Sequence, residues 1–308
     1  MSLRLSTVRH ILNPSLIVIS TILLASCAQH EEYPVVRFSQ VEPAAKSQPT
    51  EVAVLQVALA TGLSPSQSLA RYQAITDYLS AKLGQSVELL QRKTYAEVDD
   101  LLRDGKVDIA FVCSSSYVIG RDAFGERLVA VPVIRGASDY HSVIVVNAAS
   151  SITAFDELKG KSMALADPQS ASGALYLYSK VAQFGGLTWL KSFIYTYSHD
   201  YSIVAVRDGL VDGAAVDSNV LATAIARDPQ LNNSLRIIDT SPAYANNPVV
   251  AKPGLDPALF DQVQTLLLGM NSNPDGQAAL TRAGMDRFIL LDNTRYDSVR
   301  QLIQKAKP

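Results

Sequence analysis

Cysteine is nearly absent from this chain of 308 residues: Cys27 and Cys113 are the two it has. They are too few and too far apart for a disulfide scaffold or a cysteine metal cluster. Histidine is as sparse, and His10, His30, His141 and His199 form no H-x-x-x-H pair. No metal site is therefore expected. A surplus of charge is missing too. Lys+Arg 27 against Asp+Glu 29 leaves a net charge of -2, and without a basic excess to displace phosphate counterions nucleic acid is excluded as the main partner. There is no G-x-S-x-G elbow to present a hydrolytic serine. Disorder is excluded from the other side, because 48% hydrophobic and 18% charged residues describe a chain that buries a core.

A long apolar run is also lacking. Leu16–Ala25 is apolar but too short to span a bilayer, which takes roughly 20 residues. Arg4 and Arg9 precede it and small residues follow, which is the pattern of a secretory signal peptide over residues 1–26. Its end, Leu24-Ala25-Ser26-Cys27, resembles the bacterial lipobox, in which the cysteine is acylated and becomes the mature first residue. An ordinary signal peptide with an incidental cysteine is the alternative. Cys27 sits where the cut falls, so the lipoprotein reading is taken. Residues 27–50 carry Pro34, Pro43 and Pro49 without apolar periodicity and read as a flexible tether from the lipid. Cys113 is then a lone, buried thiol.

From Glu51 onward strand and helix patterns alternate, which predicts an α/β fold with largely parallel sheets flanked by helices. Val52–Ala60 is an apolar run suited to a strand covered on both faces, and Leu69, Tyr72, Ile75, Leu79 and Leu83 fall at helical spacing. A second set of strands begins near Tyr140. Val249–Ala251 reads as a short return strand, followed by helices from Pro257, capped by Asp256, and from Pro274, capped by Asn273. The expected organisation is a first lobe of 51–140 plus 251–308 and a second lobe of 141–250, with a ligand cleft between them.

A series of motifs then carries a resemblance. Arg71-Tyr72, Tyr78–Gly84, Tyr95–Val98, Gly105–Phe111, Tyr140–Val146, Leu158–Lys161, Asp167–Gly173, Ser198–Asp200, Gly209–Ala214 and Asn247–Val250 occur in one order. The series resembles the PhnD-like phosphate/phosphite/phosphonate-binding proteins of bacterial ABC importers. The resemblance spans about residues 51–305 and implies a two-lobed, hinge-closing periplasmic-binding-protein fold of type II, with no catalysis and no cofactor. It implies a monomer that takes a small phosphorus oxyanion to an inner-membrane ABC permease. The lipobox adds the bilayer, through Cys27, as a further partner.

The candidate site follows from the same motifs. Ser170-Ala171-Ser172-Gly173 lies between a strand and a helix, where backbone N–H groups, hydroxyls and the helix dipole can face one anion. Read without the resemblance, Ser172 as a simple helix cap is an equal alternative. The resemblance makes this loop the holder of the phosphorus oxygens, His199 a donor to them, and Tyr95 and Tyr140 the walls of the pocket. Threonine is usual in the family where this chain has Ala171, and aspartate where it has Asn247. That second change removes a carboxylate that would repel fully ionised anions. Asp217 either substitutes for it or caps the helix starting at Ser218. Asn219 stands where an acid recognises the ligand amine in aminoethylphosphonate binders, which disfavours aminophosphonates. Tyr117, on a helix following Cys113, either lines the site or packs under it. Two other functions remain at this stage: a sensor that signals to a membrane kinase or receptor, and, as a distant third, a hydrolase built on Ser170 or Ser172, His199 and Asp217.

Overall fold

The computed structural model describes residues 54–60 and 62–306. The signal peptide, the tether and Cys27 lie outside the described residues.

The chain begins β1 (Leu55–Ala60), α1 (Pro65–Leu83), β2 (Val87–Arg92), α2 (Tyr95–Arg103) and β3 (Ile109–Phe111), the alternation expected. It continues through α3 (Ser114–Phe124), β4 (Arg127–Val133) and the short crossing strand β5 (Asp139–Tyr140). The second lobe holds β6 (Ser142–Asn147), β7 (Ser162–Leu165), α4 (Tyr176–Val181), β8 (Ser192–Tyr195), α5 (His199–Arg207), β9 (Gly213–Asp217), α6 (Ser218–Arg227), α7 (Leu231–Ser234) and β10 (Leu235–Thr240). The chain returns through β11 (Tyr244–Ala245) and β12 (Val249–Ala251). It ends with α8 (Pro257–Gly269), α9 (Pro274–Ala283), β13 (Arg287–Ile289) and α10 (Asp297–Lys305).

Local chemistry accounts for many of these boundaries. Thr94 and Glu97 form a reciprocal capping box at the start of α2, with Thr94 N–H donating to Glu97 Oε2 at 2.8 Å. Asp256 and Asn273 cap α8 and α9 as expected, each followed by Pro at a position with no backbone donor to lose. Gly84 ends α1 with φ 67°, a conformation glycine adopts without a Cβ penalty.

Two sheets result. The six-stranded sheet runs β13-β4-β12-β3-β1-β2 and the five-stranded sheet β10-β6-β9-β7-β8. The largely parallel sheets expected are in fact mixed. In each, three strands are parallel (β3-β1-β2 and β9-β7-β8), and the strands beyond them pair antiparallel. The reason is connectivity. β12 arrives from the second lobe and enters the first sheet between β3 and β4, running against both. A lobe boundary at 250/251 therefore cuts a strand that belongs wholly to the first sheet.

Alternate residues of β1 serve two cores. Leu55, Val57 and Leu59 pack with Ile75 and Leu79 of α1 and with Val263 and Leu267 of α8. Ala58 and Ala60 face Val98 and Leu102 of α2. Each fully buried aliphatic side chain contributes about 1.5–3 kcal/mol, so both helix layers are held firmly to the strand that leads into the cleft.

The lobes are joined by the two-stranded ladder β11-β5, in which Tyr244 pairs with Tyr140 and Ala245 with Asp139. Asn246 ties this crossover down. Its Nδ2 donates to the carbonyls of Pro132 at 2.9 Å and Ala137 at 3.1 Å, and its own carbonyl accepts from Tyr296 Oη at 2.9 Å. The C-terminal helix does not belong to the first lobe alone. α10 packs on α3 and also on the second-lobe segment Ala171–Leu175 and α4, with Val299 and Leu302 in one apolar cluster with Ala171 and Leu177.

Candidate functional site

Between the lobes lies a cavity of ≈ 90 Å³. Pockets for drug-sized ligands run to roughly 300–1,000 Å³, so this one suits a much smaller solute. The first lobe supplies Gly62, Arg71, Tyr95 and Cys113 to its wall, the second lobe His199, Asp217 and Thr223, and the return crossover Asn246 and Asn247.

The lobes are latched around it. Asp200, at the start of α5, accepts from Ser64 N–H at 2.8 Å and from Gln67 Nε2 at 2.9 Å, which puts a second-lobe carboxylate at the positive end of α1. Tyr95 N–H donates to Asp167 Oδ2 at 3.2 Å, and His199 N–H donates to the Gly62 carbonyl at 3.0 Å. Ser115 Oγ donates to the Gln169 carbonyl. Lys93 sits 4.3 Å from the ring centroid of Tyr197, again lobe to lobe.

His199 is 3% exposed and its ring faces the cavity. Nδ1 accepts from Asp217 N–H at 3.2 Å, so the ring proton is on Nε2. Burial pushes the imidazole down to about 4. The ring is thus a neutral donor rather than a cation. Gly173 permits its position: a Cβ there would lie 2.8 Å from His199 Cε1.

Asp217 caps its helix and also lines the cavity. Its Oδ1 caps α6, accepting from Asn219 N–H at 2.7 Å and Val220 N–H at 3.3 Å. Its Oδ2 has no donor among the described residues, and the side chain lines the cavity. Burial raises this carboxyl to about 6. Asn247 also lines the cavity, but its Oδ1 is committed to Ser114 N–H at 2.9 Å, at the first turn of α3. What it has left for the cleft is its amide donor. Tyr95 opens α2 with its hydroxyl facing Gly62, and burial holds that phenol well above its ordinary range.

The remaining expected residues sit behind this wall. Ser170, Ala171 and Ser172 are buried and do not line the cavity. Ser170 Oγ accepts from Gly173 N–H at 3.0 Å, so Ser170, not Ser172, is the cap. The Ser172 carbonyl accepts from Ser142 Oγ at 2.6 Å. The turn they open, Ala171–Leu175, is π-helical. Tyr140 is in the hinge ladder rather than the cavity wall, its hydroxyl 2.7 Å from Ser114 Oγ. Tyr117 packs under the site: fully buried, it meets Tyr296 edge-on at 4.7 Å and donates to Asn293 Oδ1 at 3.0 Å.

Behind His199 and Tyr95, then, two helix starts face each other across the lobes. These are the first turn of α3 with Asn247 and Tyr140, and the Ser170–Gly173 turn. Each is bonded within itself, Ser114 to Asn247 and Tyr140 on one side and Gly173 N–H to Ser170 Oγ on the other, and Ser115 Oγ bridges them by donating to the Gln169 carbonyl. Sequence reasoning missed Arg71 as a cleft residue. It falls within the Arg71-Tyr72 motif, and an arginine at a helical position carries no sign that the facing lobe covers it.

Two lobes on a two-strand hinge, closing over a small cavity with donors from both sides, define a solute-binding protein. The chain matches the family described as "ABC transporter, phosphonate, periplasmic substrate-binding protein" over residues 57–296. It belongs to that family, the substrate-binding components of ABC importers, and is not an enzyme. It is 26% identical over 233 residues to the "Phosphonates-binding periplasmic protein" of Escherichia coli, covering 73% of this chain and 68% of that one. It is 27% identical over 210 residues to the "Phosphate-import protein PhnD" of Mycolicibacterium smegmatis, covering 64% and 65%. Its fold is shared with PhnD1 from Prochlorococcus marinus, solved in complex with methylphosphonate. There the TM-score is 0.74 at 19% identity, covering 82% of this chain and 97% of that one.

Proposed function

We propose that this protein captures a small phosphorus oxyanion (phosphate, phosphite or an alkylphosphonate) by hinge closure and delivers it to an ABC permease. The observation that carries this is the convergence, from both lobes, of neutral donors on one small cavity: Tyr95, His199 and Asn247 at its wall, with Tyr140 and the Ser170-Ala171-Ser172 turn directly behind. A tetrahedral anion entering there takes over the donors that these groups now commit to their own neighbours. Both helix starts then point their N–H groups at it. Because both lobes contribute, the ligand favours the closed state over the open one.

Asp217 supplies the selectivity that Asn247 gives up. Its free Oδ2 accepts from a ligand oxygen that bears a proton and repels one that does not, which favours phosphorus acids over sulfate. Asn219 donates its Nδ2 to Asn246 Oδ1 at 3.1 Å and offers no carboxylate to an amine. The relatives named for phosphonate and phosphate, and the neighbour holding methylphosphonate, fit this ligand class.

The test is a thermal-shift panel of phosphate, phosphite, methylphosphonate, aminoethylphosphonate and sulfate, since a ligand that binds only the native state raises the melting temperature. One of the first three should stabilise the protein, and sulfate and aminoethylphosphonate should not. A panel in which sulfate is the best ligand would overturn the reading. The lipobox-like end at Cys27 supports a further reading, in which acyl chains hold the protein to a membrane. Membrane fractionation checks this: Cys27→Ala should move the protein to the soluble fraction, and unchanged membrane association would refute the anchor.

A further inference from the structure

The cavity has a buried end and an exposed mouth. At the buried end stand Tyr95, Cys113 and His199, each less than 5% exposed at 3%, 4% and 3%. At the mouth stand Arg71 and Thr223, both half-buried, and Gly284, which is exposed. Arg71 is therefore the basic residue of the cavity wall. Its Nη1 lies 4.0 Å from where a Cβ on Gly284 would be, so the guanidinium stands at the mouth beside the end of α9, in its own lobe.

Among the described residues nothing answers that charge directly. None of the ion pairs among the described residues involves Arg71. The nearest acid in effect is Asp200, but both of its oxygens already accept from Ser64 and Gln67. Two more cations stand nearby: Arg135 at the exposed turn after β4 and Arg227 at the end of α6. Among the described residues neither takes part in an ion pair, and Arg227 is hydrogen-bonded to Gln67. Burial and the field of Arg227 both push the Arg71 guanidinium down from its ordinary value. A guanidinium has five donors and no acceptor, and it matches a carboxylate or phosphoryl group in a bidentate fork. A partly desolvated one without an anion is an incomplete arrangement.

We propose that Arg71 is a specificity-determining residue that binds a second anionic group on the ligand, so that the preferred solute is a phosphorus oxyanion carrying a carboxylate or a second phosphoryl group a few atoms away. The phosphorus centre occupies the buried end and the tail reaches the mouth. This rests on the proposed oxyanion site and names the class of solute it takes. Arg135 and Arg227 add a positive field over the entrance, which draws in the doubly charged solute.

Calorimetry with phosphonoacetate and methylphosphonate tests this, at about pH 7.5 where the tail carboxyl is ionised. Wild type should bind phosphonoacetate at least tenfold more tightly than methylphosphonate, the scale of hydrogen bonds to a charged group. Arg71→Gln should bring the ratio of the two affinities close to one by weakening phosphonoacetate more than methylphosphonate, and Arg71→Lys should retain part of the advantage. Thr223→Glu places an acid at the same mouth without touching Arg71, and should cause the same selective loss. Equal affinity of wild type for the two ligands would overturn the inference, as would an Arg71→Gln variant that is folded by its melting curve and weakens both alike. In either case methylphosphonate still binds and the site reading stands. If phosphate, phosphite and methylphosphonate all fail to bind wild type, the site reading falls and this inference with it.

Discussion

The backbone N–H of Asp217 donates to Nδ1 of His199 at 3.2 Å. This one bond joins the end of β9 to the start of α5 and fixes the histidine proton on the nitrogen that remains for the cleft. The charge of the site is thus decided by Asp217 and Arg71, and the histidine supplies direction rather than charge.

The first prediction concerns that donor. His199→Ala and Ser172→Ala should each weaken oxyanion binding tenfold or more, as expected for about 1.5–3 kcal/mol per hydrogen bond to a charged ligand. Because the folded imidazole titrates only near 4, no affinity step near the ordinary histidine pKa of about 6.5 should come from His199; the pH dependence in that range, which Asp217 at about 6 supplies, should survive in His199→Gln. Calorimetry across that range checks both points. A step at that pH that His199→Gln abolishes would show a cationic histidine instead.

Asp217 gives a prediction of opposite sign in stability. Its folded pKa of about 6 lies above the ordinary 3.8, so the folded state holds the proton more tightly and stability is lost as pH rises through that interval. Above about pH 6 the buried charge costs roughly 3 kcal/mol, at 1.36 kcal/mol per unit. Asparagine caps a helix about as well as aspartate. Asp217→Asn should therefore raise the melting temperature at about pH 8 and leave it unchanged below about pH 4. The same variant should narrow the preference for methylphosphonate over sulfate by tenfold or more in calorimetry. The preference of wild type persisting in the variant would contradict the role assigned.

Asn247 caps α3 through Ser114, and aspartate would keep that bond while adding charge beside the cavity. Asn247→Asp should weaken binding of fully ionised ligands increasingly as pH rises. Calorimetry of phosphate at about pH 6 and about pH 9, on either side of its second ionisation, checks this. Equal affinity of variant and wild type at both would show that the position does not read ligand protonation.

A fourth prediction lies outside the cleft. Glu126 is 0% exposed, and neither of its carboxylate oxygens nor those of nearby Asp99 has a hydrogen-bond partner among the described residues. Burial raises Glu126 to about 9 and Asp99 to about 7. Both shifts mean protons held in the folded state, so stability falls as pH climbs from the ordinary carboxylate range toward 9. Glu126→Gln should flatten that fall by several degrees of melting temperature at about pH 9, and make little difference at about pH 5. Parallel curves for variant and wild type would contradict it.

The sequence made the strands and helices of the parallel cores readable, because β1, α1 and β12 carry clean periodicity and α8 and α9 carry Pro and cap signals. α3, β4 and β13 were harder for physical reasons. α3 opens on three serines and contains Gly120, which is small because the Glu126 side chain fills the space a Cβ would take. β4 contains Pro132, which reads as a strand breaker, and β13 is three residues long. Among the residues that line the cavity, Tyr95, His199 and Asn247 were legible by resemblance and Asp217 by its place in the sequence ahead of a helix. Arg71 was not, since only the closure of α1 toward α6 turns an ordinary helix arginine into a cleft residue. The placing of Tyr140 in the hinge ladder depends likewise on pairing with Tyr244, far away in the chain.

The most direct test of the whole account is a crystal structure grown with methylphosphonate. The account predicts the phosphorus oxygens within hydrogen-bond reach of His199 Nε2, Tyr95 Oη and the Ser170–Ser172 turn at once, with both lobes in contact with the ligand. A ligand held by one lobe alone, or seated outside the cleft that His199 and Asn247 line, would contradict it.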